Sequence, residues 1–386
     1  MRISDRDRRH RLFQRHHLTG KAADGLEAVR AVAALHSSDP ATPYLGLWAR
    51  VKGFTPDHLD SLLLEDRSLW RLHAMRRTLF VVPTSEAGAY LEGAAGDIAS
   101  KERSRLLGWL EGAIDDPADW LVRRCQEVES LLASGEMSTQ EIARALPGPD
   151  IRISVGSGKW ATTMPAVSRL LLVMAMEGRI LRTAAAGSWR SSQYRWAAAA
   201  RWHDRAVERP EPDQARTRIL TSYLASHGPA TMTDLRWWTG WTVARVRAAL
   251  CACDIAEVEL ESGGTGYVLA DDPGFDAADP EAVAFLPSLD PTPMGWKERA
   301  WYLGPHTDSI FDRNGNAGPT IWTAAGIIGG WGQTPDGNVV YRLLEPVDDV
   351  TADRVEERAA ELTSWLDGTV VTPRFRTPLE KELSTI

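Results

Sequence analysis

One order of elements occurs three times along the chain, and it limits the possible folds more than any other feature. The clearest copy begins with RTRILTSYLASHGPATMTDLRWWTGWTVARVRAAL, where apolar residues at helical spacing predict a helix that ends at Gly228-Pro229. Two shorter helices are predicted next, one ending at Gly240 and one starting near Thr242. VELESGGTGYVLA then carries alternating residues around Gly263-Gly264, which is typical of a hairpin. Three helices followed by a hairpin predict a winged helix-turn-helix.

The other two copies are less regular. In the second, Ser138 to Glu141 fits a capping box, a long helix ends at Gly178, and two strand-like runs bracket the polar tip AAAGSWRSS. The first copy covers about residues 22–84, with helices predicted over 22–35, 41–51 and 56–65 and a strand in RTLFVVPT. The irregular spacing favours duplicated modules over a solenoid.

The last hundred residues contain short β-rich runs split by glycine and proline. Asp336-Gly337 predicts a tight hairpin between GIIGGWGQ and NVVYRLL, and a closing helix is predicted over 351–366. Several such strands favour a small barrel or a curled sheet. We therefore predict an α+β fold of tandem winged helix-turn-helix modules with a C-terminal β-barrel-like unit. The three modules are predicted over 1–85, 86–205 and 206–275, and the first of them includes a basic N-terminal stretch. The β-rich unit and the closing helix are predicted over 276–386.

Composition narrows the class of protein. A chain of 386 residues with 44% hydrophobic and 25% charged residues predicts two or three structural units of a soluble protein. Its three cysteines, Cys125, Cys251 and Cys253, cannot staple a chain of this length and lack partners at zinc spacing. The charged N-terminus has no apolar run of a secretory signal, and no run of about 18 apolar residues occurs. These features predict a cytoplasmic protein with no membrane span, no metal and no cofactor.

Charge is unevenly distributed along the sequence. The net charge is -8, yet residues 1–21 carry seven basic residues, including Lys21, against Asp5 and Asp7. Residues 178–203 carry five arginines and no acid, whereas residues 248–296 carry ten carboxylates and no lysine or arginine. A single block of this kind is often only solvated surface, but two basic segments in an acidic chain favour a basic channel with an acidic exterior.

Several segments together resemble one family. They are VAALHSSDPATPYLGLWAR, RRTLFVVP, DLRWWTGW, LDPTPMGWKERAWYLG and GGWGQTPDGNVVYRLLE, spread from about Leu18 to Val347. The chain looks like the winged-helix DNA-binding proteins of the AlkZ/YcaQ type, a group that includes DNA glycosylases acting on bulky alkylated bases. The resemblance implies three winged helices and a β-barrel-like unit around a basic channel for duplex DNA, which agrees with the triple pattern.

The resemblance also points to candidate catalytic residues. The family's glycosylases carry Gln-x-Gln or Gln-x-Asp at the end of the first long helix, and those positions fall on His36 and Ser38, with Asp39 one residue later. In excision of a charged N-alkylated purine, His36 would orient or deprotonate the attacking water, Ser38 would hold it, and Asp39 would stabilise the sugar cation. The structural alternatives are a core histidine, capping serines, and Asp39 as a helix N-cap before Pro40.

Six arginines are the expected DNA contacts: Arg76, Arg77, Arg182, Arg190, Arg195 and Arg313. The expected partner is double-stranded DNA, bound by a monomer. Three interpretations stay open at this stage. The protein is a DNA-binding member of the family with an altered catalytic motif, an active glycosylase of DNA repair or self-resistance that removes bulky N-alkylated purines, or a scaffold that has lost DNA binding.

Overall fold

The computed structural model describes residues 1–18, 20, 22–156, 158, 161–203, 206–274, 279 and 281–385. The chain forms two compact units, one built from Met1–Leu59 with Thr217–Ile386 and the other from Asp60–Arg216. Lys21 of the basic N-terminal stretch lies outside the described residues. Helices and strands are mixed along the chain, which confirms the predicted α+β class.

The first 60 residues hold four helices and two short strands in their described part. These elements are β1 (Arg2–Ile3), α1 (Asp5–Arg15), α2 (Gly25–Ala31), β2 (Leu35–His36), α3 (Thr42–Trp48) and α4 (Pro56–Asp60). A π-helical turn, Ser61–Glu65, continues α4.

The second unit alternates helices with hairpins. Its elements are β3 (Leu69–His73), β4 (Leu79–Pro83), α5 (Thr84–Tyr90), α6 (Gly96–Leu110), α7 (Pro117–Leu132), β5 (Met137–Ser138), α8 (Thr139–Ala145), β6 (Arg152–Val155), β7 (Thr162–Pro165), α9 (Ala166–Met176), β8 (Ile180–Ala185), β9 (Tyr194–Ala198) and α10 (Ala199–Trp202). A 3-10 turn, Met75–Arg77, joins β3 to β4, and a π-helical turn, Leu91–Ala95, joins α5 to α6.

The C-terminal part of the chain begins with the three helices of the clearest repeat. Its elements are α11 (Pro212–His227), α12 (Met232–Thr239), α13 (Val243–Ala252), β10 (Ile255–Leu260), β11 (Thr265–Leu269), β12 (Ala284–Leu286), α14 (Pro291–Met294), α15 (Ala300–Leu303), α16 (Thr307–Ile310), β13 (Thr320–Thr323), β14 (Gly326–Gln333), β15 (Val339–Leu343), α17 (Asp349–Leu366) and α18 (Pro378–Leu383).

The elements of the third copy match the prediction. Thr231 and Asp234 form a capping box at the start of α12, and Gly240 ends that helix with a φ of 73°, a conformation that favours glycine. β10 and β11 pair antiparallel as expected. The sequence did not indicate that β1 joins the other edge of β10 in parallel, where Ile3 enters a small core with Val258 and its neighbours.

The C-terminal sheet corrects one prediction. The hairpin at Asp336-Gly337 is confirmed, and Gly337 turns the chain between β14 and β15 with a φ of 93°. The predicted barrel is wrong, because within the described residues β12 to β15 form an open antiparallel meander in sequence order. Helix α17 packs against both edge strands, β12 and β15, and α18 packs against β14. These helices bury surface that barrel closure would otherwise bury.

The second copy lies in the unit Asp60–Arg216. The predicted capping box is confirmed: the Ser138 hydroxyl accepts the Glu141 backbone N–H, and the Glu141 carboxylate accepts the Ser138 N–H. Gly178 follows α9 with a φ of 69°, as expected of a glycine that ends a helix. Helices α6, α7 and α9 enclose the core, together with a sheet in the order β5-β9-β8.

The first copy departs most from its prediction. Helices α3 and α4 and strand β4 lie where they were expected. The helix predicted over 22–35 is shorter, because α2 ends at Ala31 and Ala33 adopts a φ of 58° that α-helices exclude. His36 therefore lies in the short strand β2, beyond the end of the helix rather than on it.

A fully buried ion pair crosses the core of the unit Met1–Leu59 with Thr217–Ile386. The Arg50 guanidinium donates to both carboxylate oxygens of Asp290, at 2.7 and 2.8 Å, and both side chains are 0% exposed. Arg50 also donates to the Gly46 carbonyl at 2.8 Å and to the Thr292 hydroxyl at 2.9 Å. These contacts tie the end of α3 to the start of α14, which are far apart in the sequence.

Two neutral histidines lie in the same core. His16 and His227 are buried with ring centroids 4.7 Å apart, and Tyr223 stacks on His227 at 4.8 Å. Burial lowers the pKa of His227 to about 3 and places the pKa of His16 well below its ordinary value. Both rings are therefore uncharged at neutral pH.

We expect the free energy of unfolding to fall as the pH drops below about 6.5. The unfolded chain then protonates His227 and the folded chain does not, so stability is lost at about 1.4 kcal/mol per pH unit for each such histidine until the folded-state pKa is reached. Urea denaturation at pH 7, 6 and 5 measures this slope. His227→Asn should reduce it by one histidine's share, and a flat profile from pH 7 to 5 in the unmodified protein would show that these histidines are protonated when folded.

Candidate functional site

The predicted motif residues extend from the last residue of β2, His36, into the segment that precedes α3. His36 is 7% exposed, Asp39 is 5% exposed and Ser37 is buried, while Ser38 is half-buried. The segment therefore presents little side-chain surface to solvent.

Asp39 connects this segment to the C-terminal part of its own unit. One carboxylate oxygen accepts the Ala41 backbone N–H at 3.2 Å, and the other accepts the Arg374 backbone N–H at 2.8 Å. The Arg374 guanidinium also donates to the Ser38 carbonyl at 3.3 Å. Burial raises the pKa of the Asp39 carboxyl, and the two N–H groups offset part of that rise. Asp39 is not the N-cap considered from the sequence, because α3 starts at Thr42 with Ala41 as its cap.

A cavity of about 10 Å³ lies beside Asp39, with Gln333 and Glu380 among its lining residues. That volume holds about one water molecule and excludes a nucleobase. The Gln333 amide is bonded to the backbone at Gly337, Thr369 and Val371, and Glu380 forms a two-point ion pair with Arg376 at 2.8 and 2.9 Å. These polar groups hold the C-terminal segment in place.

Asp39→Asn is expected to lower the free energy of unfolding by about 1–3 kcal/mol, because asparagine keeps one acceptor oxygen and turns an NH₂ group toward the second backbone N–H. Urea denaturation at pH 7 measures the loss. Asp348→Asn is the matched control, since Asp348 is the exposed N-cap of α17 and its carboxylate accepts the Thr351 backbone N–H, a contact that asparagine can also make. Equal small losses in the two variants would show that the second backbone N–H contact of Asp39 contributes little to stability.

Arg76 and Arg77 occupy the tip of the β3–β4 hairpin. Their φ angles are 53° and 65°, and the Thr78 N–H donates to the Met75 carbonyl at 3.0 Å. Two central residues with positive φ are the pattern of a type I′ turn, which favours Asn-Gly and strains longer side chains. Arg76 is exposed, and Arg77 pairs at 3.0 Å with the buried Glu102, which also pairs with Arg105.

The β8–β9 hairpin carries the next three predicted arginines. Arg190 is exposed in the loop. Arg195 donates to the Glu136 carbonyl at 2.6 Å and pairs with the Glu141 carboxylate at 3.3 Å. Arg182 is half-buried, with its guanidinium 4.6 Å above the Trp196 ring. The fold therefore gives Arg195 a carboxylate partner that is absent from the neighbouring sequence.

Arg313 belongs to the other unit, Met1–Leu59 with Thr217–Ile386. It is exposed in a loop that Asp312 organises by accepting the backbone N–H groups of Asn314 and Asn316 at 2.8 and 2.9 Å. Two further residues, Arg71 and His73, were not singled out from the sequence. Arg71 and His73 are two residues apart in LWRLHAMRR, so both lie on one face of β3. This two-residue spacing is the sequence signal that could have identified them.

The described residues contain no group of three His, Cys, Asp or Glu side chains placed to hold a metal ion. Within the same part of the chain, no helix is long and apolar enough to cross a membrane. Cys125, Cys251 and Cys253 are free thiols.

Comparison with known proteins identifies the family of the chain. No curated protein matches the chain. Among solved structures, the chain is similar to the Streptomyces sahachiroi DNA glycosylase AlkZ, with a TM-score of 0.73 and 18% sequence identity over 97% of this chain and 100% of that one. At that identity the likeness shows the fold alone. The family model described as DNA glycosylase AlkZ-like matches residues 29–367. The chain therefore belongs to the AlkZ-like DNA glycosylase family.

Proposed function

We propose that the protein binds double-stranded DNA, as a monomer in the cytoplasm, through three tandem winged helix-turn-helix modules in the segments 1–85, 86–205 and 206–275, which are followed by the β-rich unit 276–386. The observation that carries this proposal is the β3–β4 tip, where two arginines occupy left-handed positions that Asn-Gly would fill without strain. Backbone strain of this kind persists where side chains are needed at a functional site. Family membership supports DNA as the partner.

In this proposal the excision motif is altered. His36 and Ser38 replace the glutamine and the glutamine or aspartate of the family pattern, and His36 is buried. Both carboxylate oxygens of Asp39 accept hydrogen bonds from backbone N–H groups, which favours a positioning role over stabilisation of a sugar cation. The protein then recognises DNA without removing a base.

A second candidate function is excision of bulky N-alkylated purines, in DNA repair or self-resistance. Its support is the histidine at the first motif position, three residues from a buried carboxylate. His36 would orient the attacking water, and departure of a cationic purine needs little acid assistance. Three residues would take part: His36, Ser38 and Asp39.

The experiment that separates the two functions uses the full chain and a duplex that contains N7-alkylguanine. Binding is followed by fluorescence anisotropy, and abasic sites are followed by alkaline cleavage. We expect binding without abasic sites. Abasic sites that appear with the unmodified protein, and that fall about 10²-fold or more with His36→Ala while its melting temperature is unchanged, would establish the glycosylase instead.

Arg76→Asn is expected to weaken duplex DNA binding about tenfold while leaving the melting temperature unchanged or higher. Asparagine tolerates a φ of 53° better than arginine, whereas a charged contact to phosphate is lost. Anisotropy at 50 mM salt and thermal denaturation measure the two effects. Arg342→Asn is the control, because Arg342 is exposed and paired with Glu382 in the other unit. Unchanged affinity in Arg76→Asn would make the hairpin tip ordinary surface.

A further inference from the structure

Hydrogen-bond donors and aromatic rings face one another between β3 and the β8–β9 hairpin. Arg71 and His73 share one face of β3, which packs against β8. Arg182 on β8 pairs in register with Trp196 on β9 and stacks on its ring at 4.6 Å. The Arg71 guanidinium lies 4.6 Å above the Tyr194 ring. All of these residues belong to the unit Asp60–Arg216.

His73 fixes the position of Arg182. A guanidinium nitrogen of Arg182 lies 3.4 Å from His73 Nε2. Because a guanidinium can only donate, Nε2 must accept, which requires a neutral ring protonated on Nδ1. Burial, Arg182 and Arg77 together hold the pKa of His73 well below its ordinary value, so the ring stays neutral. The imidazole and the Trp196 ring thus hold the guanidinium from two sides.

Arg182 differs from the paired arginines around it. Arg179, three residues earlier, forms a two-point ion pair with Glu129 at 2.7 and 2.8 Å. The titratable groups that act on Arg182 are Arg71 and Tyr194, with no carboxylate among them in the described residues. Burial lowers the pKa of Arg182 to about 10, so the side chain remains cationic at neutral pH. A half-buried, rigidly held cation without a carboxylate is completed by an anion from outside the chain.

We infer that Arg182 is a preformed contact for one phosphate group, with His73 and Trp196 as its positioning residues. The inference rests on the proposed function, and we assign the phosphate to the backbone of duplex DNA rather than to free inorganic phosphate. Two guanidinium N–H groups fit two phosphate oxygens side by side, and holding them in advance removes the entropic cost of ordering the arginine upon binding. The contact reads no base, so it strengthens binding to all sequences alike.

The test measures duplex affinity against salt concentration for matched variants of the full chain. Arg182→Met keeps the apolar stem on Trp196 and should weaken binding about tenfold, with the slope of log K against log salt reduced by about 0.9. Arg182→Lys should restore the slope. Arg103→Met is the control, because the Arg103 guanidinium is already paired with both carboxylate oxygens of Glu177 at 2.7 and 3.1 Å. This variant should change neither the affinity nor the salt slope.

Two substitutions of His73 test positioning. His73→Gln retains an acceptor near the Nε2 position and should preserve affinity, whereas His73→Leu removes it and should weaken binding several-fold with an unchanged salt slope. A reduced slope in His73→Gln would mean that His73 itself contacts phosphate, which overturns the positioning role. Inorganic phosphate at 10 mM added to a duplex at constant ionic strength should compete weakly; full competition would assign the site to free phosphate instead.

The outcomes separate this inference from the function beneath it. In one outcome, the unmodified protein binds DNA with a steep salt dependence while Arg182→Met keeps both the same salt slope and the same melting temperature. That result overturns the phosphate contact and leaves DNA binding in place. Absence of duplex binding by the unmodified protein at 50 mM salt overturns both.

Discussion

Arg50→Met is expected to lower the free energy of unfolding by about 3–5 kcal/mol, the cost of leaving one member of a buried ion pair without its partner. Arg50 and Asp290 are both 0% exposed, so no water replaces the lost guanidinium. The Gly46 carbonyl and the Thr292 hydroxyl lose a donor in the same change. Urea denaturation at pH 7 measures the loss.

Arg342→Met is the matched control for Arg50. Arg342 pairs with Glu382 at 2.6 Å, with side chains 47% and 59% exposed. Exposed pairs contribute about 0–1 kcal/mol, so this variant should remain close to the unmodified protein. The double variant Arg50→Met with Asp290→Asn should recover part of the loss, because it removes the unpaired charge. Similar losses in Arg50→Met and Arg342→Met would show that the buried pair contributes no more than a surface one.

Duplex DNA affinity is expected to fall about 10³-fold or more between 50 and 200 mM salt, if about six phosphates are contacted. Each neutralised phosphate releases condensed counterions, and added salt opposes that release. The net charge of -8 makes the effect diagnostic, because only locally concentrated cations can bind DNA in an acidic protein. Anisotropy at four salt concentrations gives the slope of log K against log salt, and the size of that slope gives the number of phosphates contacted.

Potassium glutamate in place of chloride, and a duplex of unrelated sequence, are the controls for this measurement. The slope should be nearly the same for both sequences, because phosphate contacts carry no sequence information. A change of less than tenfold over this range would exclude a backbone-reading channel. So would binding that depends on one sequence and is insensitive to salt.

Much of the fold was predictable where local signals act alone. The capping box at Ser138, the helix stop at Gly240 and the turn at Asp336-Gly337 each depend on a few neighbouring residues, and each lies where the sequence placed it. The pairing of β1 with β10 and the open edges of the C-terminal sheet depend on residues far apart, and neither has a local signal in the sequence.

The candidate site was predictable in composition but not in pairing. Arg77 and Arg195 have no acid beside them in sequence, yet the fold brings Glu102 and Glu141 to them from 25 and 54 positions away. Arg182 contacts His73 and has no carboxylate partner among the described residues. His73 was not predicted, because a histidine within a strand is most often a core residue. Asp39 was predicted as a candidate catalytic carboxylate, with a helix N-cap as the alternative, and its bond to the Arg374 backbone joins it to a segment that local spacing does not reach.

The interruption of one unit by the other has a consequence for synthesis of the chain. Residues Met1–Leu59 complete their unit only with Thr217–Ile386, and β1 pairs with β10 near residue 260. At about 5–20 residues per second, the first strand waits on the order of 10 to 50 s for its partner to leave the ribosome. Asp60–Arg216 can fold during that interval, while Leu12 and Phe13 have not yet met the core that buries them. Residues Met1–Leu59 are therefore where we expect chaperones to bind during synthesis.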